Sequence, residues 1–193
     1  MADDFLFLCK NRSAVTAGSL LASLSYISPV IKELILPLMK VIKTIPVASF
    51  VILALVWIHS VNLSVLISFL MVLPVVYINF LEGLCSTDEK LLQMAEVFDI
   101  SGWKKIRAIY IPAVLPHFIS AVSVGLGFCW KSGIAAEVIG IPSGSIGERL
   151  YEAKLYLMTK ELFAWTIVII IISILFEKTI MWAIQKLMRQ PAG

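Results

Sequence analysis

Charge is what this chain has least of. Only 15% of its 193 residues are Asp, Glu, Lys or Arg, while 60% are hydrophobic and the mean hydropathy is +0.94. A soluble domain carries about 25% charged and roughly 45–50% apolar residues, so this composition excludes a fold exposed to water on all sides. The net charge of +3 is too small to signal a nucleic-acid partner. Cysteine is also scarce. Cys9, Cys85 and Cys129 are isolated, odd in number and match no metal or redox spacing, so they read as reduced packing residues. No Ser/His/Asp set, paired carboxylates or metal-ligand cluster is visible, so no catalytic residue, metal or cofactor is expected. The Gly-Ser-Ile-Gly run at 144–147 lacks the following Lys-Ser/Thr of a phosphate loop. The N-terminus has no cationic leader, and its apolar run Phe5–Leu8 is well short of the ~7–15 residues of a signal-peptide core.

What the chain does have is long apolar runs. Five stand out: Ser13–Ser28, Ile45–Ser60, Asn62–Leu81, Pro112–Trp130 and Leu162–Ile184. A span needs ~20 residues to cross a ~30 Å hydrocarbon core, with shorter ones tolerated by local thinning. Five segments are too few, and too uniformly apolar, for a lipid-embedded barrel with its alternating pattern. The expectation is an all-α, polytopic membrane helical bundle of about five transmembrane helices. Residues 1–12 form a short N-terminal segment, and residues 13–190 form one membrane domain with a polar loop at about 82–111. The second and third spans, with almost nothing between them, form a tight hairpin. The small residues of Gly18–Ser25 and Ser120–Gly127 permit close helix approach, including between two chains.

Lys and Arg near span ends set orientation. Lys32, Lys40, Lys43, Lys90, Lys104, Lys105, Arg107, Lys178, Lys186 and Arg189 fall on one side; Lys10, Arg12, Lys131, Arg149, Lys154 and Lys160 fall on the other. Ten against six places the polar loop and the C-terminus in the cytoplasm and the N-terminus outside. The location expected is the cytoplasmic membrane.

The loop reads STDEKLLQMAEVFDISGWKKIRAIYIP from Ser86. Ser86, Thr87 or Asp88 can cap a helix, with Asp88 and Glu89 near its positive end. Leu91, Leu92, Ala95, Val97 and Phe98 supply apolar positions at helical spacing, with Gln93, Glu96 and Asp99 between them. The helix breaks around Asp99–Gly102, because Asp tolerates and Gly freely adopts the left-handed conformation. A second short helix, Trp103–Tyr110, leads back to Pro112. Helix–break–helix with one apolar face suits a peg for a groove on a soluble partner. It equally suits an interfacial helix lying on lipid headgroups, and physics alone leaves both open.

The spacing resembles the cytoplasmic EAA-type coupling loop of ABC importer permeases: Glu-Ala-Ala, three residues, Gly, nine residues, Ile, one residue, Leu-Pro. Here Gln93, Met94 and Ala95 stand first, then Asp99, then Ile109, Ile111 and Pro112. The spacing is intact, with Gln for Glu, Met for the first Ala, Asp for Gly and Ile for Leu. The segments PLMKVIKTIPVASFVILALVW and GLGFCWKSGIAAEVIGIPSGSIGERLYEA are similar to stretches of permeases for nitrate, sulfonate, taurine and pyrimidine or vitamin precursors, and the likeness covers about residues 14–190. Those permeases usually begin with one more span, and this chain starts where their second would.

The resemblance implies a membrane-spanning importer subunit that hydrolyses nothing itself. It implies coupling to a separate ABC ATPase dimer through Gln93, Met94, Ala95, Val97, Phe98, Asp99, Gly102, Ile109 and Pro112, with the peg centred on Ala95, Val97 and Phe98. Its other partners would be an extracytoplasmic solute-binding protein, a second permease copy with the pathway between them, and membrane lipid. Trp130, Lys131 and Glu137, read as the outer end of the fourth span, are the candidate pathway residues. The same charges suit a simple interfacial boundary. A stand-alone secondary transporter or channel, or a membrane scaffold recruiting a cytosolic partner, would use the same composition. Midplane charges and inverted repeats that would favour the former are not visible.

Overall fold

The computed structural model describes residues 2–188, with side chains at 12–179, 181 and 182. Expectations resting on Cys9, Lys10, Lys186 and Arg189 therefore lie outside the described residues or side chains. The elements are α1 Ala2–Ile27, α2 Pro29–Thr44, α3 Val47–Leu55, α4 Ser60–Cys85, α5 Glu89–Val97, α6 Gly102–Lys105, a π-helical turn Ile106–Tyr110, α7 Ile111–Gly140, α8 Ile146–Leu155 and α9 Thr159–Met188. No strand occurs among the described residues, as the all-α expectation requires.

The core forms around α4, whose residues Met71–Tyr77 are all buried. Small residues let α1 and α7 close on it. A Cβ on Gly18 would come within 3.0 Å of Val76, and one on Gly125 within 3.3 Å of the Val72 Cγ1. Ala14, Ala22 and Ala121 are fully buried beside them. The small-residue sets of the first and fourth spans are thus partly taken up inside the chain. Several buried polar groups are paired, as apolar surroundings favour: the Tyr77 hydroxyl donates to Ser25 Oγ at 2.9 Å, and the Ser68 and Ser132 hydroxyls both donate to the Cys129 carbonyl at 3.1 and 3.2 Å, whereas Thr87 Oγ1 and Trp130 Nε1 are buried without a hydrogen-bond partner.

Among the described residues, three helical stretches are long and apolar enough to cross a membrane: Ser60–Cys85, Gly102–Gly140 and Thr159–Thr179. The α2–α3 pair makes a fourth if its halves, bent by 97°, are one span. The expected span Ser13–Ser28 falls short of that measure, yet its helix α1 lies along α4. Its Ser13 shares a cleft with Asn62 and Phe69, and its Tyr26 ring stands edge-on to Tyr110, centroids 5.9 Å apart.

The second span differs from its expectation. Ile45–Ser60 is not one helix, because Ile45 and Pro46 are extended and α3 has only nine residues, about 14 Å of rise. Pro29–Thr44, expected as a cationic loop, is instead the sixteen-residue helix α2. Proline supplies the reason: Pro29 suits a helix start, whereas Pro46 offers no N–H and drives Ile45 out of the helical region. Contacts at the two ends show the path of the pair. The Lys32 ammonium lies 3.9 Å from Cys85 Sγ at the C-terminus of α4. At the other end, α3 residues Val51 and Ala54 pack with Leu63 and Ile67 near the N-terminus of α4, and with Ala136 of α7. The two halves together run the height of the bundle.

At that far end α8 caps the bundle. A Cβ on Gly147 would lie 2.4 Å from Glu137 Cβ and 2.5 Å from its carbonyl carbon, so only glycine permits this approach. Ser145 caps α8 by accepting from the Glu148 N–H at 3.0 Å. α9 touches the bundle through Phe176, stacked on Trp130 at 5.8 Å, and otherwise exposes Phe163, Ile167, Ile170, Ile171, Ile174 and Leu175.

Candidate functional site

The polar loop folds as its residues demand. Asp88 caps α5, accepting the Lys90 N–H at 2.9 Å. Asp99 then takes φ 48°, and the helix ends in a Schellman motif. The Ile100 N–H reaches back to the Ala95 carbonyl at 2.9 Å and the Asp99 N–H to the Glu96 carbonyl at 3.1 Å. The break falls where Asp99 and Gly102 were expected to put it. Gly102 opens α6 with no atom near its missing Cβ, so its role is at the helix start and not in a tight contact.

The second limb returns through a π turn that the sequence reading did not anticipate. The Ile111 N–H bonds the Ile106 carbonyl, five residues back. Pro112 next to it has no N–H to offer, and its ring crowds the carbonyl four residues before it, so the ladder widens by one residue. Ile109, half-buried, lies inside the π turn, and Pro112 is exposed one step beyond it.

The expected peg residues separate into two groups. Ala95 is only 2% exposed, whereas Val97 and Phe98 are 82% and 70% exposed. Ala95 sits inward and holds the break; Met94, Val97 and Phe98, with Leu91, present an apolar tip. Gln93 and Asp99 are exposed beside it. Trp103, 75% exposed, extends the apolar surface onto the second limb. A cleft of about 810 Å³ between the limbs is lined by Phe98, Asp99, Ile100, Ser101, Lys104, Arg107 and Ala108. Lys104 and Arg107 were noticed in the sequence only as orienting charges. Their spacing of three residues on a helix is the signal that sets them on one face. Lys105, half-buried, faces the other way, 3.7 Å from the exposed Glu96 across the break, a largely solvated pair worth under about 1 kcal/mol.

The loop stands on a clamped base. Ser86 Oγ lies 3.3 Å from His117 Nε2. A Cβ on Gly83 would meet His117 Cβ at 3.0 Å, and the hydroxyls of Tyr26 and Tyr110 are 3.4 Å apart. Phe80 and Phe118 add an edge-to-face pair at 6.1 Å. These contacts tie the base of the loop to α1, α4 and α7.

The other candidates do not converge. Trp130, Lys131 and Glu137 lie within α7, which runs on to Gly140, and not at a span end. The longer helix explains this, because Gly133–Gly140 stays apolar enough to continue. Trp130 is buried against Phe176, Lys131 is exposed, and Glu137 accepts the Gly147 N–H at 3.3 Å, a structural task.

A bundle of long apolar helices carrying one exposed, capped polar loop defines a polytopic membrane protein. Residues 14–190 match the family described as binding-protein-dependent transport system inner membrane component, and the chain belongs to that family. It is similar to the putative aliphatic sulfonates transport permease protein SsuC of Bacillus subtilis, 26% identical over 79% of this chain and 55% of the relative. It is also similar to the taurine transport system permease protein TauC of Escherichia coli, 25% identical over 78% and 55%, and to the bicarbonate transport system permease protein CmpB of Synechococcus elongatus, 22% identical over 76% and 53%. The chain spans about half the length of these curated relatives.

Proposed function

We propose that the chain is the membrane-spanning subunit of an ATP-driven importer. The loop faces the cytoplasm and docks a separate ABC ATPase, and an extracytoplasmic binding protein delivers a small solute to a pathway between two permease copies. The observation that supports this best is the tip itself: Met94, Val97 and Phe98 are exposed on a helix that is capped at one end and closed by a Schellman motif at the other. A rigid apolar tip raised on a clamped base is suited to fill a groove, whereas a lipid-lying helix needs no such base. The printed names of the relatives point to solutes of the sulfonate, taurine or bicarbonate kind, and nitrate or a vitamin precursor fits the same subgroup. A stand-alone transporter would also use a broken span, but it leaves the loop tip without a task. In this reading ATP hydrolysis is the task of the separate ATPase.

The test is co-purification with the ATPase. Val97→Asp sets a charge into a desolvated groove, costing several kcal/mol, and loss of the ATPase from the complex is expected. Retention of the ATPase at wild-type yield by Val97→Asp and by Phe98→Asp would overturn the docking assignment.

A further inference from the structure

The α2–α3 break has a feature that the docking role does not use. With α4 as a ruler of about 39 Å, α2 starts at the loop end, where Lys32 meets Cys85. Met39, seven residues on, is buried in one cluster with Leu73, Tyr77 and Leu81, and α3 continues to Leu63 at the far end. The break at Ile45–Pro46 therefore lies near mid-height. Lys40 and Lys43 stand at its lip, both exposed, and among the described residues neither has a carboxylate within ion-pair distance.

Helix α2 has three faces. Ile35, Leu36, Met39 and Ile42 pack on the bundle. Val30, Leu34, Leu38 and Val41, spaced at four, four and three residues, form an exposed apolar stripe suited to lipid or to a partner helix. Lys40 falls on a third face, about 115° from the centre of that stripe at 100° per residue, and Lys43, about 175° away, falls within the arc of the packing residues yet stays exposed at the helix end. A charge at membrane depth is costly against hydrocarbon and turns toward protein or a water-filled cavity. Because the lipid-suited stripe lies elsewhere on the same helix, the lysine face is the one left for water.

We propose that the break between α2 and α3 borders the solute pathway and holds a small anion in transit, with Lys40 and Lys43 attracting its negative group. This rests on the transport reading and names the solute's charge class. The lysines are solute-positioning residues; they make and break no bond.

The test needs no knowledge of the solute. In membrane vesicles holding the assembled transporter, with Cys9, Cys85 and Cys129 replaced, Thr44→Cys is treated with an anionic sulfonatoethyl, then a cationic trimethylammonioethyl, methanethiosulfonate. The ratio of the two rates is normalised to an exposed external control, Ser143→Cys. The anionic reagent is expected to be favoured by about tenfold or more at Thr44→Cys, the size of a focused surface field. Adding Lys40→Gln with Lys43→Gln should remove the preference, while Lys43→Arg alone should keep it. Co-purification of the ATPase through the loop should persist in every variant, which separates this claim from the docking claim. Labelling of Thr44→Cys by membrane-permeant N-ethylmaleimide alone would show a lipid-facing site and overturn the proposal. So would an anionic preference that survives the double Lys→Gln change, or no preference at the start.

Discussion

At Asp99 the backbone asks for what the side chain only partly supplies. Its φ of 48° is the left-handed region, where glycine pays no steric penalty and Asp a modest one. The related loop pattern has Gly at this position. Asp99→Gly should therefore leave thermal stability in detergent unchanged or slightly raised, by up to about 1 kcal/mol, whereas Asp99→Val should lower it and loosen the break. A second residue-scale contrast sits at the far end. The Cβ of Gly147→Ala would strike the Glu137 Cβ and the backbone of α7, while that of Gly140→Ala would meet only the Leu63 Cδ2 at 2.6 Å, the movable end of a side chain. Overpacking against backbone costs about 1–3 kcal/mol, so Gly147→Ala should depress the melting temperature clearly more than Gly140→Ala. Equal effects would mean that α8 is not seated on Glu137 as described.

Among elements, the loop was the most legible from sequence. Asp88, Asp99 and Gly102 have narrow conformational preferences, and the structure puts the cap and break at those residues. The burial of Ala95 was not legible, because helical periodicity marks a position as apolar without saying which neighbour covers it. The α2–α3 pair was misread for a related reason. Ile45–Ser60 is largely apolar, so hydropathy alone draws one span, whereas the helix runs only from Val47 to Leu55 and gives way to turns before α4. Lysines at 32, 40 and 43 made helix α2 read as a connection between spans. The tip carries the prediction at this scale. Gln93 is exposed and neutral, so Gln93→Ala should change ATPase coupling little. Phe98→Ala should lower it markedly, since truncating a buried interface aromatic often costs ~2 kcal/mol or more. Similar losses of solute-stimulated ATPase activity in the two variants would contradict the division of the loop into tip and flank.

For the whole molecule, the helical fold and its membrane setting were plain from composition, whereas the pairing of chains was not. The small residues that invited a dimer contact are partly spent inside: Gly18 on Val76, Gly125 on Val72, and Ser25 on Tyr77. The surface left for a second copy or for lipid includes the exposed face of α7 around Ser120, Val124 and Phe128, Leu20 and Leu24 of α1, Ile52 and Leu53 of α3, the stripe on α2, and most of the described part of α9. Two ATPases ask for two loops related by a two-fold axis, so intact complexes should contain two permease chains per two ATPases; a single permease chain would contradict the pairing. The central claim, that the loop tip seats in an ATPase, is tested most directly by a photo-cross-linking side chain introduced at Phe98. Irradiation in native membranes should yield an adduct with the ATPase subunit, and that adduct should vanish when Val97→Asp is added. Cross-linking to phospholipid alone would show that the tip lies on the membrane and would contradict the account.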